Sequence, residues 1–515
     1  MGIAFFLVAF AVVLRATFLS LGWGLLAVIA VGYFNGVIRA NFLGVYTTFM
    51  FDAAVLGLYV GFLSRKSQWV EGAGSGPAGR FVLFLIVWPT LLCLVPVNHF
   101  LVQCVALRAT VWFLPVLLIA TRLTTADLAV FARGMAVLNL VALAGGIYVF
   151  ENGVAALYPN NAITLIIYGS KDVGGDKYHR VPSTFLSAHA YGGTMLGTLP
   201  FLLGRLVGLK VRVADRCLAV AGVVAAAVGI LMCGARTPLA MLVLTLAIAW
   251  LLSRLSLTMG LIGVVLVAGG LWFASTSERF QRASSLEDTE MVGNRIAGSA
   301  NASFLDLLGR YPLGAGMGSA ASIPYFLADV APEPIGLENE YCRILVDQGW
   351  VGLGGWLAFL VWLFVRPPPS RPADSWRIGV VLMYSLALAS WVCAFLGTGM
   401  LSSIPGTVIL LTQMGVLVGV RARGALPEAV SIHPGAPSGG EGFSSPLPLC
   451  GQEPGSGGAG TPSGPVGGIG SEYPPPQSSP ARGKGDGIPS ATKVAVDHLG
   501  NPPELQARAP AGVLR

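Results

Sequence analysis

Long apolar runs separated by short polar connections fill most of the chain before its C-terminal region. A helix needs about 20 mainly apolar residues to cross the hydrocarbon core of a bilayer. Runs of that order lie at 18–37, 46–63, 81–97, 102–120, 126–150, 184–203, 218–233, 238–252, 256–274, 350–364, 378–395 and 404–420, with a shorter one at 3–13. The pattern predicts an all-α polytopic integral membrane protein with twelve or thirteen transmembrane helices, the first two forming a tight pair. The leading run has no small-residue cleavage site before the next span and reads as an uncleaved membrane segment. One insert, 276–349, is much longer than the other connections and separates the last three helices from the rest. The predicted organisation is a helical bundle over 1–275, a large loop over 276–349, three further helices over 350–420 and a tail over 421–515. In the tail glycine, proline, serine and alanine take over. Such a segment cannot bury enough apolar surface to offset its ordering entropy, so a disordered tail is expected.

Composition agrees with the pattern: 54% of residues are hydrophobic and 11% charged, against about 25% charged in a globular domain. Orientation follows from lysine and arginine in the short connections. Arg65, Lys66 and Arg80, then Arg205, Lys210, Arg212 and Arg216, then Arg254, Arg366, Arg371, Arg377, Arg421 and Arg423 fall on one side when spans alternate. That side is expected to be cytoplasmic, with the tail on it; Arg39 fits poorly, falling on the other. The inserts at 151–183 and 276–349 and the turn at 234–236 then share the outer face. The net charge of +7 is spread over membrane-flanking connections, so no nucleic-acid partner is expected. The seven cysteines and five histidines show no metal-ligand spacing. No metal or cofactor is expected.

The candidate chemistry therefore rests on arginines and acids of the outer face. Arg236 lies in a tight turn, Cys233-Gly234-Ala235-Arg236-Thr237-Pro238, where its guanidinium either snorkels to the boundary or offers its fork to phosphate oxygens. Arg108 sits near the start of its span and either snorkels outward or faces the bundle interior as a functional group. Arg180, with His179 and His189, flanks the next outer insert. In the large insert Arg295 and Arg310 bracket an amphipathic helix marked by Ala300, Phe304, Leu307 and Leu308, fitted to the membrane interface or simply to packing. The run Pro312-Leu313-Gly314-Ala315-Gly316-Met317-Gly318 lets backbone N–H groups approach an anion closely, Gly314 and Gly316 above all. It lacks the lysine of a P-loop. Glu338-Asn339-Glu340 precedes a helix running into the membrane. A carboxylate there serves either as a helix cap or as a general base toward a sugar hydroxyl.

The order of these pieces resembles the O-antigen ligase and polysaccharide polymerase (Wzy-like) superfamily, polytopic bacterial proteins with a large periplasmic loop. Gly234 to Pro238 is similar to the family's Ser-Arg-Gly turn, Asn294-Arg295-Ile296 to its loop arginine, and 312–318 to its Pro-x-x-Gly-x-Gly segment. Glu338-Asn339-x-Tyr341 through Asp347-Gln348-Gly349-Trp350-Val351-Gly352 is similar to its His/Glu-Asn-x-Tyr segment and the Glu-x-Gly-x-x-Gly that follows. The resemblance implies a metal-independent glycosyltransferase in the bacterial inner membrane, with a glycan on undecaprenyl diphosphate as donor and other polysaccharide assembly proteins as partners. It implies Arg236 and Arg295 on the leaving diphosphate and Glu338 as the base. Arg180, Arg108, Arg310, Asn339, Gly314 and Gly316 would bind donor diphosphate or glycan. The ligase pattern has histidine where this chain has Glu338, which favours a polymerase of repeat units over transfer to lipid A-core. A non-enzymatic transporter of the same lipid-linked sugar is the reading from another class.

Overall fold

The structure is a computed structural model that describes residues 1–65, 76–170, 179–208, 211–253, 260, 263, 269, 302–320, 323–330, 337, 339–366, 376–395, 401, 403–423 and 426. By internal contacts the chain divides into Met1–Pro434 and Gly435–Arg515. Everything below concerns the first unit; the expected disordered tail falls outside the described residues. Among those residues every regular element is a helix. They are α1 (Gly2–Leu19), α2 (Leu21–Asn41), α3 (Val45–Thr48), α4 (Met50–Leu63), α5 (Pro77–Cys93), α6 (Phe100–Val111), α7 (Pro115–Ala120) and α8 (Thr125–Asn152). Then come α9 (Leu165–Tyr168), α10 (Ala188–Val207), α11 (Val213–Cys233), α12 (Arg236–Leu252), α13 (Ala302–Arg310), α14 (Glu340–Phe364), α15 (Arg377–Cys393) and α16 (Gly406–Arg423), with 3-10 turns at Val154–Ala156 and Tyr325–Val330.

Among the described residues six helical segments are long and apolar enough to cross a membrane: Gly2–Leu19, Leu21–Asn41, Phe100–Ala120, Thr125–Asn152, Val213–Cys233 and Glu340–Phe364. Leu7, Val141, Leu357 and Val361 are exposed along such helices, as a lipid-facing surface requires. The chain is an all-α polytopic membrane protein. The expected span 256–274 falls, but for residues 260, 263 and 269, outside the described residues. Elsewhere local chemistry moved the boundaries. The run 102–120 divides into α6 and α7 because Pro115 cannot donate into a continuing ladder and instead starts α7. Ser20, whose hydroxyl accepts from Trp23 N–H at 3.2 Å, separates α1 from α2.

Buried polar side chains tie neighbouring helices together. Asn139 of α8, wholly buried, accepts from Tyr33 of α2 at 2.6 Å and donates to Thr198 of α10 at 2.8 Å and to the Gly222 carbonyl of α11 at 3.3 Å. One amide thus ties four helices together where an unpaired group would be costly. A capping box between Thr124 and Asp127 starts α8, and Asp127 Oδ1 also accepts from Gly22 N–H at 2.9 Å, docking the start of α2 onto it. Gly204 of α10 and Gly379 of α15 cross closely: a Cβ on Gly204 would meet the Gly379 Cα at 2.7 Å.

One end of the bundle is basic. Asp215 is shared by Arg133, at 2.9 and 2.8 Å, and Arg205, at 2.6 Å. Arg421 donates to the Leu363 and Arg366 carbonyls, and Arg423 to the Thr121 carbonyl at 2.6 Å. The last helix therefore runs through Arg423, three residues into the segment expected as tail, because both arginines find carbonyl partners on neighbouring segments. Leu426 is buried as well. Deletion of 435–515 is expected to leave the thermal midpoint of the detergent-purified protein unchanged, since it spares all these contacts.

Candidate functional site

The opposite end of the bundle carries the candidate residues, and α14 organises one part of it. Asn339, 1% exposed, caps this helix: its Oδ1 accepts from Tyr341 N–H at 2.8 Å and Cys342 N–H at 3.4 Å. In the first turn the buried Glu340 pairs with Arg343, and the Glu340 N–H donates to the Ala394 carbonyl at 3.0 Å. Tyr341 stacks on Phe395 with ring centroids 4.3 Å apart and donates from its hydroxyl to the Trp391 carbonyl at 2.7 Å, fixing α14 against α15. The helix then breaks at Gly349, whose φ of 68° and ψ of −169° lie outside the reach of other residues.

Into this break fits the glycine-rich run. Gly314, Gly316 and Gly318 have φ of 87°, 95° and 94°, conformations that a Cβ strongly disfavours. Ala315 N–H donates to the Val346 carbonyl at 2.7 Å, Trp350 N–H to the Pro312 carbonyl at 2.9 Å, and Ala320 N–H to Asp347 Oδ1 at 3.0 Å. From the other side Asn98 donates to the Met317 carbonyl and Ser319 hydroxyl, both at 3.0 Å, and Trp88 Nε1 to the Gln348 carbonyl at 3.0 Å. The segments 312–320 and 339–350 thus form one clasp. Gly314 N–H is spent on the Tyr311 carbonyl at 3.1 Å, and a Cβ at Gly316 would strike the Val97 side chain at 2.8 Å. Both glycines have a packing role in the clasp.

A second cluster surrounds the start of α10. The segment before it is anchored by Tyr158, whose hydroxyl lies 2.7 Å from the Ser183 and Phe185 carbonyls; burial pushes this phenol well above its usual range, so it stays a neutral donor. Arg180 Nη1 lies 3.0 Å from His189 Nε2 and within electrostatic range of Cys233. A Cβ on Gly192 would meet the Cys233 sulfur at 2.5 Å and Pro238 at 3.5 Å. The turn holding Arg236 is thereby seated on the start of α10, one turn from His189. Arg236 itself is half-buried as the first residue of α12. Arg180, His189 and Arg236, distant in sequence, are gathered here.

Arg108 faces inward. Its Nε and Nη2 hold both carboxylate oxygens of Asp52, in the first turn of α4, and its guanidinium lies 5.5 Å from the ring centres of Phe49 and Phe113. Arg310 sits apart, exposed at the end of α13 and 5.7 Å from the Tyr311 ring centre. That helix is amphipathic as expected: Leu307 is buried, Phe304 packs edge-on against Phe395, and Trp350 Nε1 donates to the Leu308 carbonyl at 2.9 Å. Arg295 and Glu338 fall outside the described residues.

Sequence reasoning passed over Asp52, Glu340, Arg343 and Asp347 as site residues. For Asp52 a signal existed: an acid inside an otherwise apolar span demands a cation on a neighbouring helix. Among the described residues no three His, Cys, Asp or Glu side chains converge as a metal site would. Compared with known proteins, the chain matches no family model and no curated protein.

Proposed function

We propose that the protein is a membrane glycosyltransferase acting on undecaprenyl-diphosphate-linked glycans at the periplasmic face of a bacterial inner membrane, polymerising repeat units. In this reading twelve or thirteen spans carry the loop 276–349 outside and the tail inside. The observation that supports it is the clasp: the segments 312–320 and 339–350, which carry two of the resembling motifs, are held together by three hydrogen bonds at the mouth of α14. The arginine turn at 236 opens on the same end of the bundle. An acceptor hydroxyl attacks the anomeric carbon, the bond from that carbon to the diphosphate oxygen breaks, and the hydroxyl proton passes to Glu338. Arg236 and Arg295, assisted by Arg180 or Arg310, neutralise the departing undecaprenyl diphosphate. Glu340 is unsuited to the base role, being buried in its pair with Arg343.

The reading is tested with purified protein and an undecaprenyl-diphosphate oligosaccharide, offered either a second lipid-linked unit or a lipid A-core acceptor. Longer lipid-linked chains are the expected product. Transfer to the core instead makes the protein a ligase, and lipid movement across vesicles without turnover makes it a transporter. Glu338→Gln should reduce transfer by about 10²-fold, within the range for losing a general base, while the protein stays in the membrane. Unchanged turnover would remove Glu338 from the chemistry.

A further inference from the structure

Arg39 is anomalous twice over. It lies near the end of α2 opposite the basic end of the bundle, against the charge distribution of the other connections. It is also half-buried, and among the described residues it makes no hydrogen bond or ion pair; its Nε is inaccessible to solvent and unpartnered. The ordinary role for a cation in a last helical turn is to cap the final carbonyls. Those carbonyls have other donors here: Asn41 Nδ2 at 2.9 Å on Val37, Phe42 N–H at 2.9 Å on Ile38, and Asn161 Nδ2 at 2.8 Å on Ala40. Arg39 is not the cap.

Its surroundings carry a charge imbalance. Arg39 lies within electrostatic range of Asp52, Arg108 and Tyr325. Arg108 occupies both oxygens of the Asp52 carboxylate, so two guanidinium groups share one acid and one positive charge is left over. The remaining wall is aromatic: Phe49 and Phe113 about Arg108, and Phe326 with its ring centre 6.2 Å from that of Phe49. A half-buried cation without a protein partner costs free energy, and an anion that meets its guanidinium removes that cost.

We infer that Arg39, together with Arg108, forms a binding site for a phosphate oxyanion at this end of the bundle, with Asp52 orienting Arg108. The charge left over matches the single negative charge of a phosphodiester, and the guanidinium fork suits its two free oxygens. The ligand is either the headgroup of a membrane lipid or free phosphate. This inference does not depend on the transfer reaction.

The test is the thermal midpoint of the full-length protein in an uncharged detergent, titrated with phosphatidylglycerol or, separately, with inorganic phosphate. Wild type should shift upward by about 2 °C or more at saturation. Arg39→Gln should require about tenfold more of the probe, the loss of one charge-assisted contact, whereas Arg377→Gln at the basic end should respond as wild type. Without any anion, Arg39→Gln should melt no lower than wild type, because it removes an unpaired charge. A shift with the lipid alone assigns the site to a headgroup, and a shift with phosphate as well shows that the oxyanion suffices. An absent shift, an equal shift in Arg39→Gln, or a lower midpoint for that variant without anion overturns the site. If Arg39→Gln is not recovered folded, Arg39→Lys carries the test: it keeps the charge without the fork, and a response equal to wild type overturns the proposal.

Discussion

Gly349→Ala should destabilise the protein by about 4 kcal/mol, enough to deplete the folded form at ordinary growth temperature. At φ 68° and ψ −169° a residue with a Cβ is strained by about 1–3 kcal/mol. That Cβ would also lie 2.5 Å from the Leu313 carbonyl carbon and 2.8 Å from its Cα. Backbone cannot swing aside as a long side chain can, so the clasp would have to open. Opening it loses the Ala315–Val346, Trp350–Pro312 and Ala320–Asp347 bonds, each worth about 0.5–1.5 kcal/mol. Gly354, five residues on in the same helix, is the control: a Cβ there meets nothing within 4 Å, and alanine should be neutral or stabilising by up to about 1 kcal/mol. Thermal midpoints of the two variants in detergent check the prediction. Equal midpoints would mean that α14 straightens without cost and that the clasp is incidental.

The contrast between those two glycines shows what the sequence made legible and what it concealed. The apolar runs foretold the described helices closely, since twenty-residue apolar stretches have few other fates in a membrane protein. Pro115 in the run 102–120 marked the α6–α7 break in advance. The resemblance singled out both halves of the clasp as segments of interest, but suggested that Gly314 and Gly316 serve a ligand. Their φ values and the partners of the neighbouring N–H groups give them a packing role that no local pattern encodes. Pairings at long range were invisible for the same reason. Arg108 and Asp52 stand 56 residues apart, and Asp215 meets Arg133 across 82; spacing along the chain says nothing of which helices become neighbours. A stricter charge inventory of each span would still have flagged Asp52 and Arg133 as groups needing partners.

Asp52→Asn should cost about 3–5 kcal/mol, the range for stranding one member of a buried ion pair. Two roles compete to explain this acid. Its place in the first turn of α4 lets it interact with the helix dipole, worth about 0.3–1 kcal/mol. Its bidentate contact with Arg108 makes it the counter-charge for a desolvated guanidinium, and here for Arg39 as well. A double-mutant cycle separates the two. If the dipole dominates, Arg108→Gln costs the same in either background and the coupling is near zero. If the ion pair dominates, removing Arg108 after Asp52 relieves a stranded charge, and the double variant recovers about 1.5 kcal/mol or more relative to the sum of the single losses. Adding Arg39→Gln to Asp52→Asn should recover stability too, because the two guanidinium groups no longer face each other without an acid between them. Only the ion-pair account predicts rescue from both α2 and α6, so the pattern of rescue across two helices decides the question where the size of a single loss would not.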